Sequence, residues 1–320
     1  MSTATAVAIE DVRAAAGRIS DVAVRTPLVR LNVDDGPAEI YLKLENLQPS
    51  GAFKLRGAVN AVRLADPAAL KQGIWTASSG NMALSVAWVA RRFGLACTAV
   101  VSDNSPEAKL SVIESLGASI IKVPWKEILQ ICRVDGRDGM QGLFLHPFSD
   151  ADVMAGNATV GLEIVEDLPD VDTVLVPYGG GGFAASVASS VKALRPQARV
   201  LAAEVESGAA LAGAIAAGGP VEVEQPPSFV SGIGSPMVFE HMWPLVSELL
   251  DGSVVSSIEE TASAVKLVAE RAHTIAEGAG ASSVAGALSG KVGGGKIACV
   301  VSGGNIDLSK LAKILQGQVP

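Results

Sequence analysis

The chain has 320 residues, and 33 acidic residues against 25 Lys and Arg give it a formal net charge of −8. That balance argues against a nucleic-acid binder, for which a basic face is expected, and no apolar run reaches the roughly 18 residues of a membrane span. At roughly 150 residues per domain the length predicts about two domains, and an apolar fraction of 49% supplies their cores.

The first ten residues lack a basic stretch followed by a long apolar core, so no secretion signal is expected and the cytoplasm is the expected compartment. Ile40-Tyr41-Leu42-Lys43-Leu44 reads as a strand. It leads to Ser50-Gly51-Ala52-Phe53-Lys54-Leu55-Arg56-Gly57-Ala58, where one lysine stands among small and apolar neighbours. A second strand, residues 73–77, runs into the polar turn Ser78-Ser79-Gly80-Asn81 and a helix over 83–93. Residues 95–101 and 119–123 read as buried strands on either side of a helix over 106–116. The stretch 123–142, with Trp125 and the cluster Arg133-Val134-Asp135-Gly136-Arg137-Asp138, departs from a plain amphipathic helix and has no evident role. Residues 171–177 form a β-branched strand that feeds Gly179-Gly180-Gly181-Gly182 and a helix over 183–194. A strand over 199–203, a helix over 260–276 and a strand over 296–301 follow, the last ending in Ser302-Gly303-Gly304-Asn305. Gly293-Gly294-Gly295 reads as a flexible connection because no helix follows it. The alternation of strands and helices predicts parallel α/β sheets.

Each of these turns has a plain reading and a chemical one. Lys54 is either an ordinary helix-start lysine or an amine whose charge is disfavoured by apolar surroundings or by Arg56, which would make it a nucleophile or base. The turn at 78–81 is either a Ser/Asn helix cap or a set of hydroxyls and N–H groups for an anionic oxygen. The tetraglycine suits a phosphate, since its N–H donors converge at a helix start where the dipole adds positive charge. It lacks both the Walker Lys-Ser/Thr and a spaced dinucleotide fingerprint, so nucleoside triphosphates and dinucleotides are disfavoured. Ser302-Gly303-Gly304-Asn305 is at least a strand-end turn. Cys97, Cys132 and Cys299 lie far apart without a Cys-x-x-Cys pair, and Cys97 and Cys299 are expected as buried thiols. His146, His241 and His273 have no metal-ligand spacing and are assigned structural or surface roles.

Taken together, the four motifs resemble the fold-type II pyridoxal 5′-phosphate (PLP) enzymes, in their serine/threonine dehydratase and serine racemase branch. The resemblance extends from Arg25-Thr26-Pro27-Leu28 through Lys43-Leu44-Glu45-Asn46, His146-Pro147-Phe148-Ser149-Asp150 and the segment 155–163 to the end of the last motif. It implies an α/β architecture of two open twisted parallel sheets, like that of the tryptophan synthase β subunit. Residues 1–72 plus 149–320 would form a large PLP-binding domain and 73–148 a small inserted one, with the cofactor between them.

By that resemblance Lys54 forms the Schiff base with PLP and removes the substrate α-proton, and Phe53 packs beside the cofactor. Asn81 meets the phenolic oxygen, Gly179, Gly180, Gly181 and Gly182 hold the phosphate, Ser302 meets the pyridine nitrogen, and Glu277 lies near the ring. Ser78, Ser79, Asn81 and Met82 face the substrate. A serine at the pyridine nitrogen cannot keep it protonated, so the ring is a weaker electron sink, which suits elimination better than transamination. The implied reaction is dehydration and deamination of a β-hydroxy amino acid such as threonine or serine to a 2-oxo acid and ammonia. Two departures bear on it. Met82 stands where similar dehydratases carry histidine, which opens the possibility of bulkier substrates such as phenylserine or 3-hydroxyaspartate. Ser79 stands where racemases of this branch carry a serine, so racemisation is the alternative. Some relatives bind a divalent or monovalent cation, here through Glu204, Gly208 and Ala210, although Ala210 replaces an aspartate. Glu277 could equally be the acidic residue of a helix's first turn. A homodimer is expected, and the allosteric control of longer relatives is not.

Overall fold

The computed structural model describes residues 4–33, 38–105 and 107–320. Among them the strands are β1 (Leu28–Arg30), β2 (Ala38–Lys43), β3 (Ile74–Ala77), β4 (Cys97–Ser102), β5 (Ser119–Val123), β6 (Leu143–Phe144), β7 (Thr173–Pro177), β8 (Arg199–Val205), β9 (Ser253–Ser256) and β10 (Gly295–Val300). They form two sheets, one in the order β1-β2-β10-β7-β8-β9 and one in the order β5-β4-β3-β6. All neighbours are parallel except the β1/β2 edge pair. Parallel strands are covered on both faces by their crossover helices, which is why β3 and β7 read as continuous apolar runs and are buried throughout.

The predicted strands and helices appear with small shifts in their ends. The helix expected over 260–276 is the helix Ile258–Arg271, started by a reciprocal cap between Ser257 and Glu260. It stops early because His273 adopts a left-handed backbone, φ 55°. The helix expected over 106–116 spans Glu107–Ser115, and Pro106 lies outside the described residues. The stretch 123–142 does contain an amphipathic helix, Trp125–Val134, with Ile128, Ile131 and Cys132 buried. Its polar cluster caps that helix: Asp135 is left-handed, φ 58°, and Arg137 pairs with Glu127 at 2.8 Å. All three cysteines are buried and free.

One polar cluster lies inside the larger sheet's packing. Arg56, in the helix Lys54–Leu64, is 1% exposed and donates to Glu45 from Nε and Nη2, both at 2.8 Å. Its Nη1 and Nη2 donate to Glu163 at 2.6 and 2.9 Å. Lys43, fully buried at the end of β2, pairs with Glu163 at 2.6 Å and donates to the Thr26 carbonyl at 2.6 Å. Thr26 and Gln48 supply further donors to Glu45. Two cations thus face two carboxylates, and none of their buried polar atoms lacks a hydrogen-bond partner. Burial alone would raise the Glu45 carboxyl, but Arg56, with Thr26 and Lys43, outweighs it and holds the group below the usual carboxylate range. Removing one partner would leave an uncompensated buried charge, so Arg56→Met is expected to cost about 3–5 kcal/mol of stability. Urea titration would register this as a lower midpoint at unchanged slope.

Candidate active site

The Arg56 cluster sits two residues from Lys54 and fixes the first turn of the helix that carries it. Lys54 Nζ donates to the Pro147 carbonyl and lies 5.0 Å from the centroid of the Phe53 ring. Burial lowers its pKa to about 8, so a substantial fraction is neutral near physiological pH. Arg56 was the other candidate cause of that shift. Its guanidinium is instead turned onto Glu45 and Glu163, and desolvation does the lowering.

Across from Lys54 the tetraglycine joins β7 to the helix Gly182–Leu194. Gly181 is the residue before that helix, in the left-handed region at φ 89°. A Cβ on Gly182 would fall 1.6 Å from the Phe148 carbonyl oxygen. Only glycine lets the turn 146–149 press against this loop, and that turn also supplies the Pro147 carbonyl that Lys54 meets. Phe53 stacks on Phe183 of the following helix with centroids 3.6 Å apart. The lysine and the anion cradle are therefore held together by direct packing.

The third side of the site comes from the smaller sheet. Asn81 opens the helix Asn81–Phe93 at the carboxyl end of β3 and donates from Nδ2 to Glu277 Oε1 at 2.5 Å. Glu277 is buried and occupies the cap position of the helix Gly278–Leu288, but its side chain points to Asn81 and does not cap that helix. Its own N–H donates to the Gly303 carbonyl at 3.0 Å. Ser302 is buried, and its carbonyl accepts from the Phe53 N–H at 3.0 Å, which ties the end of β10 to the lysine loop. Ser78 Oγ accepts from the Gly80 N–H at 3.1 Å. Ser79 Oγ accepts twice, from the Ser102 N–H at 3.1 Å and from Ser105 Oγ at 2.6 Å. Met82 is buried, its side chain in the smaller sheet's core with Leu55 and Ala58.

Glu204 lies apart from this cleft. It is buried at the end of β8, and its two carboxylate oxygens accept from the backbone N–H groups of Leu211 and Ala212, each at 2.8 Å, and from Ser253 Oγ at 2.6 Å. The carboxylate thus anchors the start of the helix Ala210–Ala217. Ala210 adds no side-chain oxygen, and among the described residues no group of three His, Cys, Asp or Glu side chains is placed to hold a metal. Of the three expected ligands Glu204 alone carries a carboxylate, and both of its oxygens already accept hydrogen bonds.

Two residues carry more of the geometry than sequence reading gave them. His146 is buried in the turn that meets the tetraglycine, and its Nδ1 accepts from the N–H groups of Phe148 and Ser149 at 3.1 and 3.0 Å. Its Nε2 lies 3.0 Å from the Cys132 carbonyl, which requires the Nε2–H tautomer. The role is structural, as expected, but the structure it holds is the site itself. Asn305 is the other. It was legible only as the last letter of a strand-end turn, and it contacts Asn81.

The family model described as "Pyridoxal-phosphate dependent enzyme" matches residues 19–303. The chain is 36% identical to an L-threonine ammonia-lyase of Thermotoga maritima, covering 97% of this chain and 78% of that protein. It is 37% identical to a putative threonine dehydratase of Sinorhizobium fredii, covering 100% and 98%. Among solved structures it superposes on maize serine racemase with a TM-score of 0.86 at 30% identity, covering 98% of each chain. A threonine deaminase from T.th. gives 0.85 at 31%, covering 94% and 99%. The chain belongs to the pyridoxal-phosphate dependent enzymes, of the fold-type II architecture. A glycine cradle that a single Cβ would block, beside a lysine of lowered pKa, fits that cofactor.

Burial lowers the His146 pKa from 6.5 to about 4, so below about 6.5 the unfolded chain binds a proton that the folded chain refuses. Stability from this residue is therefore full above that pH and falls as pH drops toward about 4. Chemical denaturation between pH 7 and 4 should show that slope, and His146→Asn, whose oxygen replaces Nδ1, should flatten it.

Proposed function

We propose that the chain dehydrates and deaminates a β-hydroxy amino acid, L-threonine or L-serine, to a 2-oxo acid and ammonia. The observation that carries this is Lys54: an amine lowered to about 8 beside a glycine anion cradle. The names of the two curated relatives support threonine as the substrate.

PLP, when bound, supplies an electron sink for the substrate's α-carbon. Gly179, Gly180, Gly181 and Gly182 hold its phosphate through backbone N–H groups and the helix dipole. Asn81, Ser302 and Glu277 surround the ring. Lys54 Nζ would hold the cofactor at rest and, once the substrate's amine has displaced it, the freed amine would take the α-proton, for which a pKa near the working pH is favourable. The first-turn N–H groups at Asn81 and Met82, with Ser78 and Ser79, hold the substrate carboxylate. Residues 73–148 form the smaller domain, and its closure on residues 1–72 plus 149–320 excludes water. In this reading Glu204 takes its counter-charge from the N–H groups of Leu211 and Ala212 in place of a cation.

Racemisation is the second reading, favoured by the match to maize serine racemase and by the presence of Ser79. A racemase serine must both give and take a proton. Ser79 Oγ accepts from the Ser102 N–H and from Ser105 Oγ and keeps its own proton to give, so the products decide between the two readings.

Loaded protein incubated separately with L-threonine, L-serine, threo-3-hydroxyaspartate and L-threo-phenylserine should release 2-oxo acid, fastest from threonine or serine. Lys54→Ala should lose at least about 10³-fold in rate. D-enantiomer with little oxo acid would establish racemisation, and neither product would overturn both readings. Mg²⁺ and K⁺ should leave the melting temperature unchanged, and a chelator should leave the rate unchanged. A ligand-dependent rise in melting temperature would place a cation in the fold.

A further inference from the structure

The loop after β10 reaches the cofactor side of the cleft through one side chain. Asn305 Nδ2 donates to the Ser50 carbonyl at 3.0 Å and to Asn81 Oδ1 at 2.8 Å. Asn81 Nδ2 in turn donates to Glu277 Oε1 at 2.5 Å. The direction of this chain is not arbitrary. A peptide carbonyl can only accept, so Ser50 requires the NH₂ face of Asn305. Both N–H groups of Asn305 are then spent, and the remaining partner, Asn81, must present its oxygen. The NH₂ group of Asn81 is thereby turned toward Glu277 and keeps one N–H unspent. Reversing either amide would set oxygen against oxygen at Ser50 or at Glu277, leaving polar groups unpaired. Asn305 is itself clamped, because Gly51, at φ 74°, has no Cβ where one would lie 2.4 Å from Asn305 Oδ1.

We propose that Asn305 is a positioning residue that fixes the orientation of the Asn81 amide, so that its unspent N–H is offered to the cofactor's phenolic oxygen. The proposal rests on the role given to Asn81 above. Asn305 touches no reacting atom and acts on the cofactor through Asn81, while its bond to Ser50 ties the segment before Lys54 to the end of the larger sheet and the first helix turn of the smaller one.

The test is a double-mutant cycle on the PLP-loaded protein with two readouts: the dissociation constant for PLP titrated into stripped protein, and the pH midpoint of the bound cofactor's visible absorbance. Asn305→Ala should weaken PLP about ten- to a hundredfold and move that midpoint. In an Asn81→Ala background the same change should have less than about a twofold effect, because the partner it orients is gone. Asn305→Asp, nearly the same shape but unable to donate, should be worse than alanine on both readouts, since its carboxylate faces Asn81 Oδ1. Effects that multiply independently in the cycle, or an Asn305→Asp variant matching wild type, would overturn the proposal. Melting temperatures of each variant separate a loss of folding from a loss of orientation. Neither readout needs turnover, so a protein that binds PLP with this coupling but releases no oxo acid would sink the elimination reading and leave Asn305 standing.

Discussion

The Arg56 cluster is the constraint on which the rest of the site depends. Lys43 comes from β2, Glu45 from the turn after it, Arg56 from the lysine helix and Glu163 from the helix Ala151–Asp167, so four segments meet on two charges of each sign. Charges buried in this way gain little net stability over apolar residues of equal size, but their geometry has to be met closely. What the cluster supplies is position. With Arg56 tied by four hydrogen bonds to two carboxylates, the turn that carries Lys54 is held rigidly. The amine can then be pressed into low-dielectric surroundings without swinging out to water.

The turn 146–149 extends that logic to the anion side. It accepts the lysine's hydrogen bond through Pro147 and packs Phe148 into the tetraglycine, and neutral His146 holds its backbone in place. A charged imidazolium would lose the acceptor on which two N–H groups depend. Burial and function therefore reinforce each other, since the same apolar enclosure keeps His146 uncharged and makes Lys54 a usable base.

Much of this was legible in the chain because it is local. Lys54 after a strand, the glycines between β7 and its helix, and Asn81 at a strand-to-helix turn each announce themselves within about ten residues, and parallel α/β order follows from their alternation. What was not legible depends on partners far apart in sequence. Arg56 reads as a charge near Lys54 until Glu163, 107 residues on, is seen to hold it. Asn305 reads as a turn residue until Asn81, 224 positions away, is found beside it. Glu204 carried the right residue type for a cation, and although Leu211 and Ala212 follow it closely, only the turn of the chain after β8 brings their N–H groups back onto it. The end of the helix at Arg271 was missed because apolar periodicity continues past the point where His273 turns the backbone.

The strand order has a consequence for how the molecule comes into being. β10, the last of the described strands in chain order, lies between β2 and β7, in the interior of the larger sheet. Until the ribosome has released residues beyond 300, β2 and β7 have no common neighbour and present unpaired edges. Ser302 and Asn305 leave the exit tunnel later still. A nascent chain can assemble the four-stranded sheet early, but the cofactor can be captured only after residues 295–305 have been made. During that interval the growing protein is at its most vulnerable to edge-to-edge association and to proteolysis.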